Sequence, residues 1–186
     1  MRILAGTAKG KKLTTPANAK ITRPALAKVR EAIFNKIGNV DDLLLVDVFA
    51  GTGSLGLEGL SRGAEYVYFI ENHPAIIKCL IKNLQDLDFT EKARILKRSL
   101  PAGAKVLRLP RPADIVFCDP PYDKDLLNPT LLALCKADKV IDHKTWVIVE
   151  HTSREVPEIK DLEVFDQKKY GQTLISYLRL KPKGTS

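Results

Sequence analysis

Four consecutive residues, Asp119-Pro120-Pro121-Tyr122, set a carboxylate, two rigid prolines and an aromatic ring directly after an apolar run that ends at Cys118. Such a group suits the modification of an exocyclic amine on a planar base. The lone pair of that nitrogen is delocalised into the ring, so it is a poor nucleophile. The Asp119 carboxylate and the Pro120 carbonyl accept its two N–H bonds and align it for in-line attack on a methyl carbon. The gain is positioning and electrostatics, with no covalent enzyme intermediate. Paired prolines fix the turn and leave carbonyls without competing donors. Tyr122 offers a ring for stacking, worth about 1–3 kcal/mol per base, and a base must leave its helix to reach it. The alternative reading is a proline-rich turn that only ends a strand.

A second pattern lies upstream, in Asp47-Val48-Phe49-Ala50-Gly51-Thr52-Gly53-Ser54-Leu55-Gly56. Gly51 permits a tight turn, Gly53 lets a ligand approach the backbone, and Gly56 lets the following helix pack close on the strand. Glu71 follows Gly51 by twenty residues, at the end of the next apolar run, where a carboxylate accepts hydrogen bonds from both hydroxyls of a ribose. The spacing points to a ribose-bearing ligand without separating NAD from S-adenosylmethionine. A dinucleotide needs the free helix N-terminus for its pyrophosphate. S-adenosylmethionine has no phosphate and carries a sulfonium and an ammonium group, and Asp47 offers that ammonium a counter-charge. The other reading of Asp47 is a buried acid bonded to loop amides.

The charge distribution indicates a partner. The first 36 residues hold nine basic side chains, Arg2, Lys9, Lys11, Lys12, Lys20, Arg23, Lys28, Arg30 and Lys36, against one acid, Glu31. The rest of the 186-residue chain is balanced, so the formal charge of +8 belongs to its first fifth. That asymmetry points to a polyanion, with nucleic acid foremost; a solvated basic tail is the alternative. Arg23 and Arg30 are candidates for phosphate or the flipped nucleotide, which would make binding salt-sensitive. Cys79, Cys118 and Cys135 form no CxxC pair, and His73, His143 and His151 do not fall at metal-ligand spacing, so no metal site and reduced, mostly buried thiols are expected. No apolar run reaches the ~18–20 residues of a membrane helix, and the N-terminus has no signal-like apolar core. A soluble cytoplasmic protein is expected. At 45% hydrophobic residues the chain can build a core.

Strands and helices must position these groups. Apolar runs predict strands at Leu43–Phe49, Tyr66–Ile70, Arg94–Lys97, Ala113–Cys118 and Thr145–Glu150. Helical spacing predicts helices from Pro24 to near Gly38-Asn39, over Ser54–Ser61, Pro74–Leu87 and Asp125–Ala137. Glu163–Lys168 and Leu174–Leu180 read as a terminal hairpin joined through Tyr170-Gly171, and residues 1–22 as a short hairpin or ordered arm. Glu58 in the loop's helix reads as structural. Alternating strands and helices give an α/β fold with a parallel sheet covered on both faces. Ligands then bind at the carboxyl ends of the strands.

The sequence as a whole resembles the bacterial RsmD family of 16S ribosomal RNA guanine-N2 methyltransferases. The resemblance is carried by Val46-Asp47-Val48-Phe49-Ala50-Gly51-Thr52-Gly53, by Leu55-Gly56-Leu57-Glu58 and by Leu60-Ser61-Arg62-Gly63-Ala64. It also runs through Met1-Arg2-Ile3, Gly6, Gly10, Leu13, Thr22-Arg23-Pro24 and Val29-Arg30-Glu31-Ala32-Ile33-Phe34, and ends in Asp119-Pro120-Pro121-Tyr122 and Tyr170-Gly171. It implies the class I methyltransferase fold: a Rossmann-like three-layer sandwich with a seven-stranded, mostly parallel sheet and a C-terminal antiparallel hairpin. Residues 1–38 would form a basic RNA-binding extension, with Arg2, Lys9, Lys11, Lys12, Arg23 and Arg30 on the RNA, and residues 39–186 the methyltransferase domain. S-adenosylmethionine would be lined by Asp47, Phe49, Gly51 and Gly53, held at its ribose by Glu71, with Asn72 by the adenine. Asp119, Pro120 and Tyr122 would hold the target amine, with Asp119 also reaching the cofactor. Two departures stand out. Ala25 occupies a position where the family usually has Thr. Leu96-Lys97-Arg98-Ser99-Leu100 lacks an acid that many members place by the adenine, which leaves a backbone amide or Ser99 for that contact. A monomer acting on 16S rRNA within an assembling 30S subunit is expected. The competing functions are N6-adenine methylation of DNA or RNA, methylation of a glutamine side-chain amide in a protein, an NAD-dependent oxidoreductase, and a non-catalytic RNA-binding factor.

Overall fold

The computed structural model describes residues 1–16, 24–105, 107–122 and 124–182. The chain clusters into two compact units, Met1–Lys97 and Arg98–Ser186. The first holds helix α1 (Pro24–Ile37), strand β1 (Leu44–Val48), helix α2 (Ser54–Ser61), strand β2 (Tyr66–Glu71), helix α3 (Pro74–Asp86) and strand β3 (Ala93–Lys97). The second holds helix α4 (Ala102–Lys105), strand β4 (Ile115–Cys118), helix α5 (Leu127–Lys136) and strands β5 (Trp146–His151), β6 (Leu162–Tyr170) and β7 (Thr173–Leu180). The seven strands follow the order β3-β2-β1-β4-β5-β7-β6. β1 pairs with β2, β2 with β3 and β4 with β5 in parallel, whereas β7 is antiparallel to both β5 and β6. This is the α/β architecture with a terminal antiparallel hairpin that the sequence suggests.

Burial explains the elements. Every residue of β1 is buried, Asp47 included, as an apolar run broken only by that acid predicts for a strand covered on both faces. In α1, Val29, Ile33 and Phe34 form the inward stripe. Gly56 on α2 sits so close to β2 that a Cβ there would press into the Phe69 ring and lie 2.8 Å from Val67 Cγ1.

The N-terminal arm folds back on itself. Ile3 N donates to the Lys11 carbonyl, Gly10 N to that of Ile3 and Leu13 N to that of Met1, with an antiparallel bridge between Arg2 and Lys12. Ile3, Ala8 and Leu13 are buried, and a Cβ at Gly6 would collide with the Ser61 carbonyl at the end of α2. The arm is therefore packed as part of the first unit. Two expectations shift. Cys118 is buried, but Cys79 and Cys135 are only partly so. The four-residue helix α4 and a 3-10 turn at Thr90–Lys92 were not anticipated, because three or four residues carry no readable period.

Candidate functional site

In the first unit, the turn between β1 and α2 is built from left-handed residues. Phe49, Gly51 and Gly53 have φ of 59°, 56° and 87°. Gly51 and Gly53 adopt this freely, whereas in Phe49 it stores of order 1–2 kcal/mol. Ala50 N donates to the Ile70 carbonyl and Gly53 N to that of Ala50, both within 3.0 Å. A Cβ built on Gly51 would meet only the Phe49 carbonyl, at 4.0 Å, so this glycine leaves its side of the turn open. The Glu71 carboxylate closes the turn from β2. Its Oε2 accepts Gly51 N at 3.0 Å, and its Oε1 accepts Asn72 N and His73 N at 2.8 and 2.9 Å. Glu71 is partly exposed and Asn72 exposed.

Asp47 lies beneath the same turn, 2% exposed, with Oδ2 accepting Gly56 N at 2.9 Å. Of the two roles the sequence leaves open for it, this geometry supplies the bond to a loop amide. Burial, with Glu71 nearby, raises its carboxyl from 3.8 to about 7, against the opposing Gly56 bond. The folded state thus binds this proton more tightly than the unfolded chain. The stabilisation is fully present below about pH 4 and is lost as pH rises through about 7. Asp47→Asn keeps an oxygen for Gly56 N and removes the charge. It should flatten that loss and be the more stable protein at pH 8. Urea unfolding of both proteins at pH 5 and pH 8 checks this, and parallel pH dependences would refute it.

Two buried side chains tie the arm down: Glu58, which the sequence reads as structural, and Asn83, which sequence reasoning did not assign. Glu58 on α2 accepts Leu4 N at 2.9 Å, Ala5 N at 3.0 Å and Arg62 Nε at 2.9 Å, and pairs with Arg30 Nε at 3.3 Å. Asn83 on α3 is 1% exposed. Its Oδ1 accepts Thr14 N at 2.6 Å, and its Nδ2 donates to the carbonyls of Thr14 at 3.1 Å and Thr52 at 3.0 Å. One amide thus joins the arm to the glycine turn. Its signal was its place on the buried stripe of α3 with Ile77, Leu80 and Leu84.

Of the residues expected on RNA, Arg2, Lys9, Lys11 and Lys12 are exposed on the arm. Arg30 is not: it is 4% exposed, ion-paired to Glu58, and donates to the Arg2 carbonyl at 2.6 Å. A guanidinium enclosed in this way holds the arm and is not offered to phosphate. Arg23 lies outside the described residues, as do Thr22 and Lys20.

In the second unit, Asp119, Pro120, Pro121 and Tyr122 follow β4 directly. Pro120 is buried, whereas Asp119, Pro121 and Tyr122 are exposed. Tyr122 donates its hydroxyl to Glu150 Oε1 at 2.8 Å. Ser99, also in this unit, is exposed, and its carbonyl accepts Gly103 N at 2.7 Å. Among the described residues no cluster of three or more His, Cys, Asp or Glu could hold a metal ion, and no helix is long and apolar enough to cross a membrane.

A seven-stranded, mostly parallel sheet closed by a terminal antiparallel hairpin is the fold of a class I methyltransferase. Solved structures agree: this chain superposes on an Escherichia coli candidate methyltransferase, yhhF, with a TM-score of 0.83 at 30% identity, covering 98% of this chain and 99% of that one. A Haemophilus influenzae candidate methylase gives a TM-score of 0.78 at 29% identity, covering 97% and 98%. The family described as conserved hypothetical protein 95 matches residues 1–179, and the chain belongs to that family, the RsmD family. A Bacillus subtilis protein named as a candidate rRNA methyltransferase, YlbH, is 36% identical over 93% of this chain and 95% of its own length. The ribosomal RNA small subunit methyltransferase D of Escherichia coli is 39% identical over 70% of this chain and 65% of its own length.

Proposed function

We propose that this protein transfers a methyl group from S-adenosylmethionine to the N2 amine of a guanine in 16S, small-subunit, rRNA. The observation that carries the reading is the carboxylate of Asp119 followed by the Pro120 carbonyl at the end of β4, in a chain whose relatives are named for small-subunit rRNA methylation. The residues fit the cofactor. Gly51 leaves open space on its side of the turn, and Glu71 presents a carboxylate fixed by three amides. When bound, S-adenosylmethionine supplies an electrophilic methyl on a positively charged sulfur. Phe49, Gly51 and Gly53 would shape the turn against it, Glu71 would accept from the ribose and Asn72 would lie by the adenine, with Ser99 the second unit's candidate for an adenine contact. Asp47 keeps the turn closed through Gly56 and contributes negative charge beneath it.

Asp119 and the Pro120 carbonyl accept the two N–H bonds of the target amine. They turn its lone pair out of conjugation, and Asp119 or water takes the proton released as the N–C bond forms. Tyr122 stacks the flipped base. Residues 1–38 are the RNA-facing extension, with Arg2, Lys9, Lys11 and Lys12 on phosphate. So small a basic surface reads little sequence, so the assembling 30S particle supplies specificity through its shape.

The test is to incubate the protein with labelled S-adenosylmethionine and 30S subunits lacking the modification, then identify the labelled nucleoside. N2-methylguanine at one site is the expected result. N6-methyladenine would replace the guanine assignment. Tight binding of NAD and none of S-adenosylmethionine would overturn the methyl-transfer reading. A separate check concerns the arm. Replacing Lys9, Lys11 and Lys12 together with alanine should weaken rRNA binding and flatten its salt dependence, by roughly 0.7–0.9 in slope for each phosphate no longer neutralised. Titrations at several salt concentrations measure this, and an unchanged slope would take these lysines off the phosphates.

A further inference from the structure

Glu150 has no part in the proposed chemistry, yet its bond to Tyr122 is specific in geometry. Glu150 lies near the end of β5 and is 8% exposed. A carboxylate enclosed to this degree costs folding free energy unless it is bonded. The phenol that donates to it, at 2.8 Å, comes from the tetrapeptide after β4. The side chain of Thr173, the first residue of β7, lies beside the same phenol. The register of the terminal hairpin makes this possible: Glu150 pairs with Ile175 and His151 with Leu174, so β7 begins beside the end of β5. The hairpin joint that the sequence places at Tyr170-Gly171 is there: Tyr170 ends β6 and pairs with Thr173 across the turn Gly171-Gln172. The hydroxyl end of Tyr122 is thus tied to β5 while the residue stays 38% exposed.

We propose that Glu150 is a positioning residue: through its bond to the phenol it fixes the Tyr122 ring as a rigid wall against which the planar target base stacks. This rests on the base-methylation reading above. A rigid wall has an energetic reason. A free aromatic side chain loses rotamer freedom each time a base stacks on it, whereas a ring already held loses little. The arrangement also leaves its mark on the phenol, whose ionisation is pushed above its ordinary range by burial first and then by the Glu150 charge, with Asp119 adding to the repulsion.

The experiment compares E150L, E150Q, Y122F and the double variant Y122F/E150L. Each is assayed for S-adenosylmethionine affinity, for kcat and KM on 30S subunits, and for phenol ionisation by absorbance, with Y122F as the blank that isolates Tyr122. E150L removes the acceptor and should raise KM for the RNA substrate by roughly 10–100-fold, the factor of one charge-assisted hydrogen bond. Cofactor affinity should not change. Y122F keeps the ring, loses the anchor and should show a similar rise. The double variant should be no worse than Y122F alone. E150Q restores an acceptor oxygen, so it should recover most of what E150L loses, while its phenol ionises at lower pH than in the wild type because the neighbouring charge is gone.

A wild-type-like Y122F, additive losses in the double variant, or an unmoved phenol ionisation in E150Q would each overturn the proposal while leaving the methyltransferase reading intact. If E150L is too unstable to assay, the Y122F and E150Q results decide. A wild-type protein that labels no rRNA base would remove the base-methylation reading and the wall together.

Discussion

Asp119→Ala should lower methyl transfer by about 10²–10³-fold or more, the scale seen when one preorganised polar contact to a reacting centre is removed, with the fold and rRNA binding intact. Asp119 is exposed at the end of β4, so alanine leaves no cavity in the core. What it removes is the acceptor that, in the proposed mechanism, holds one N–H of the target amine and can take its proton. The Pro120 carbonyl alone cannot stop that nitrogen from rotating back into conjugation. Asp119→Asn keeps one acceptor oxygen but turns a donor toward an amine that is itself a donor, so it should fall with alanine or only modestly above it. Single-turnover methyl transfer, equilibrium dialysis of S-adenosylmethionine and rRNA binding separate the steps. A rate within a few-fold of the wild type would take Asp119 out of the mechanism. Abolished cofactor binding would make it a ligand contact.

The second large effect belongs to stability. Glu58→Ala should cost about 3–5 kcal/mol, as breaking a buried charge pair typically does. At 2–4 °C per kcal/mol for a chain of this size, melting should fall by roughly 6–20 °C. The carboxylate is 0% exposed and serves four donors: the amides of Leu4 and Ala5, the Arg62 guanidinium and the Arg30 guanidinium. Removing it strands Arg30 as a buried cation and frees two amides of the arm. Arg30→Ala should cost less, because Glu58 then keeps Arg62 and both amides. Thermal unfolding gives the first number, and proteolysis within residues 1–16 reports whether the arm comes loose. A melting shift under 2 °C with the arm still protected would refute the assignment of Glu58 as its anchor.

These residues also mark where a sequence can and cannot be read. The sheet was legible because β1 and β5 are apolar runs and because α2 starts at the residue after the second glycine. Counting twenty residues from Gly51 leads to Glu71, which the structure has at the end of β2. The three amides it accepts were not legible, since they depend on how the chain turns after β2. Arg30 shows a signal present but outweighed. It stands on the α1 stripe, one residue after Val29 and four before Phe34, and that spacing predicts burial as plainly as its charge suggested phosphate. Its partner, 28 residues downstream, has no local signature. Glu150 was hidden for a similar reason: strand alternation marks which side it faces, but only the antiparallel return of β7 and the turn after β4 bring it a phenol.

The Asn83 amide constrains how this sequence can drift. All three of its bonds run to main-chain atoms, two on Thr14 and one on Thr52. The side chains at positions 14 and 52 are therefore free of the joint, and many residues there would preserve it. Position 83 carries the whole requirement. Aspartate offers acceptors but no donor for the two carbonyls, leucine offers neither, and glutamine is one methylene too long for a buried site of fixed width. The tolerance for change is thus unevenly shared: wide at the two ends of the joint and close to a single amino acid at its centre.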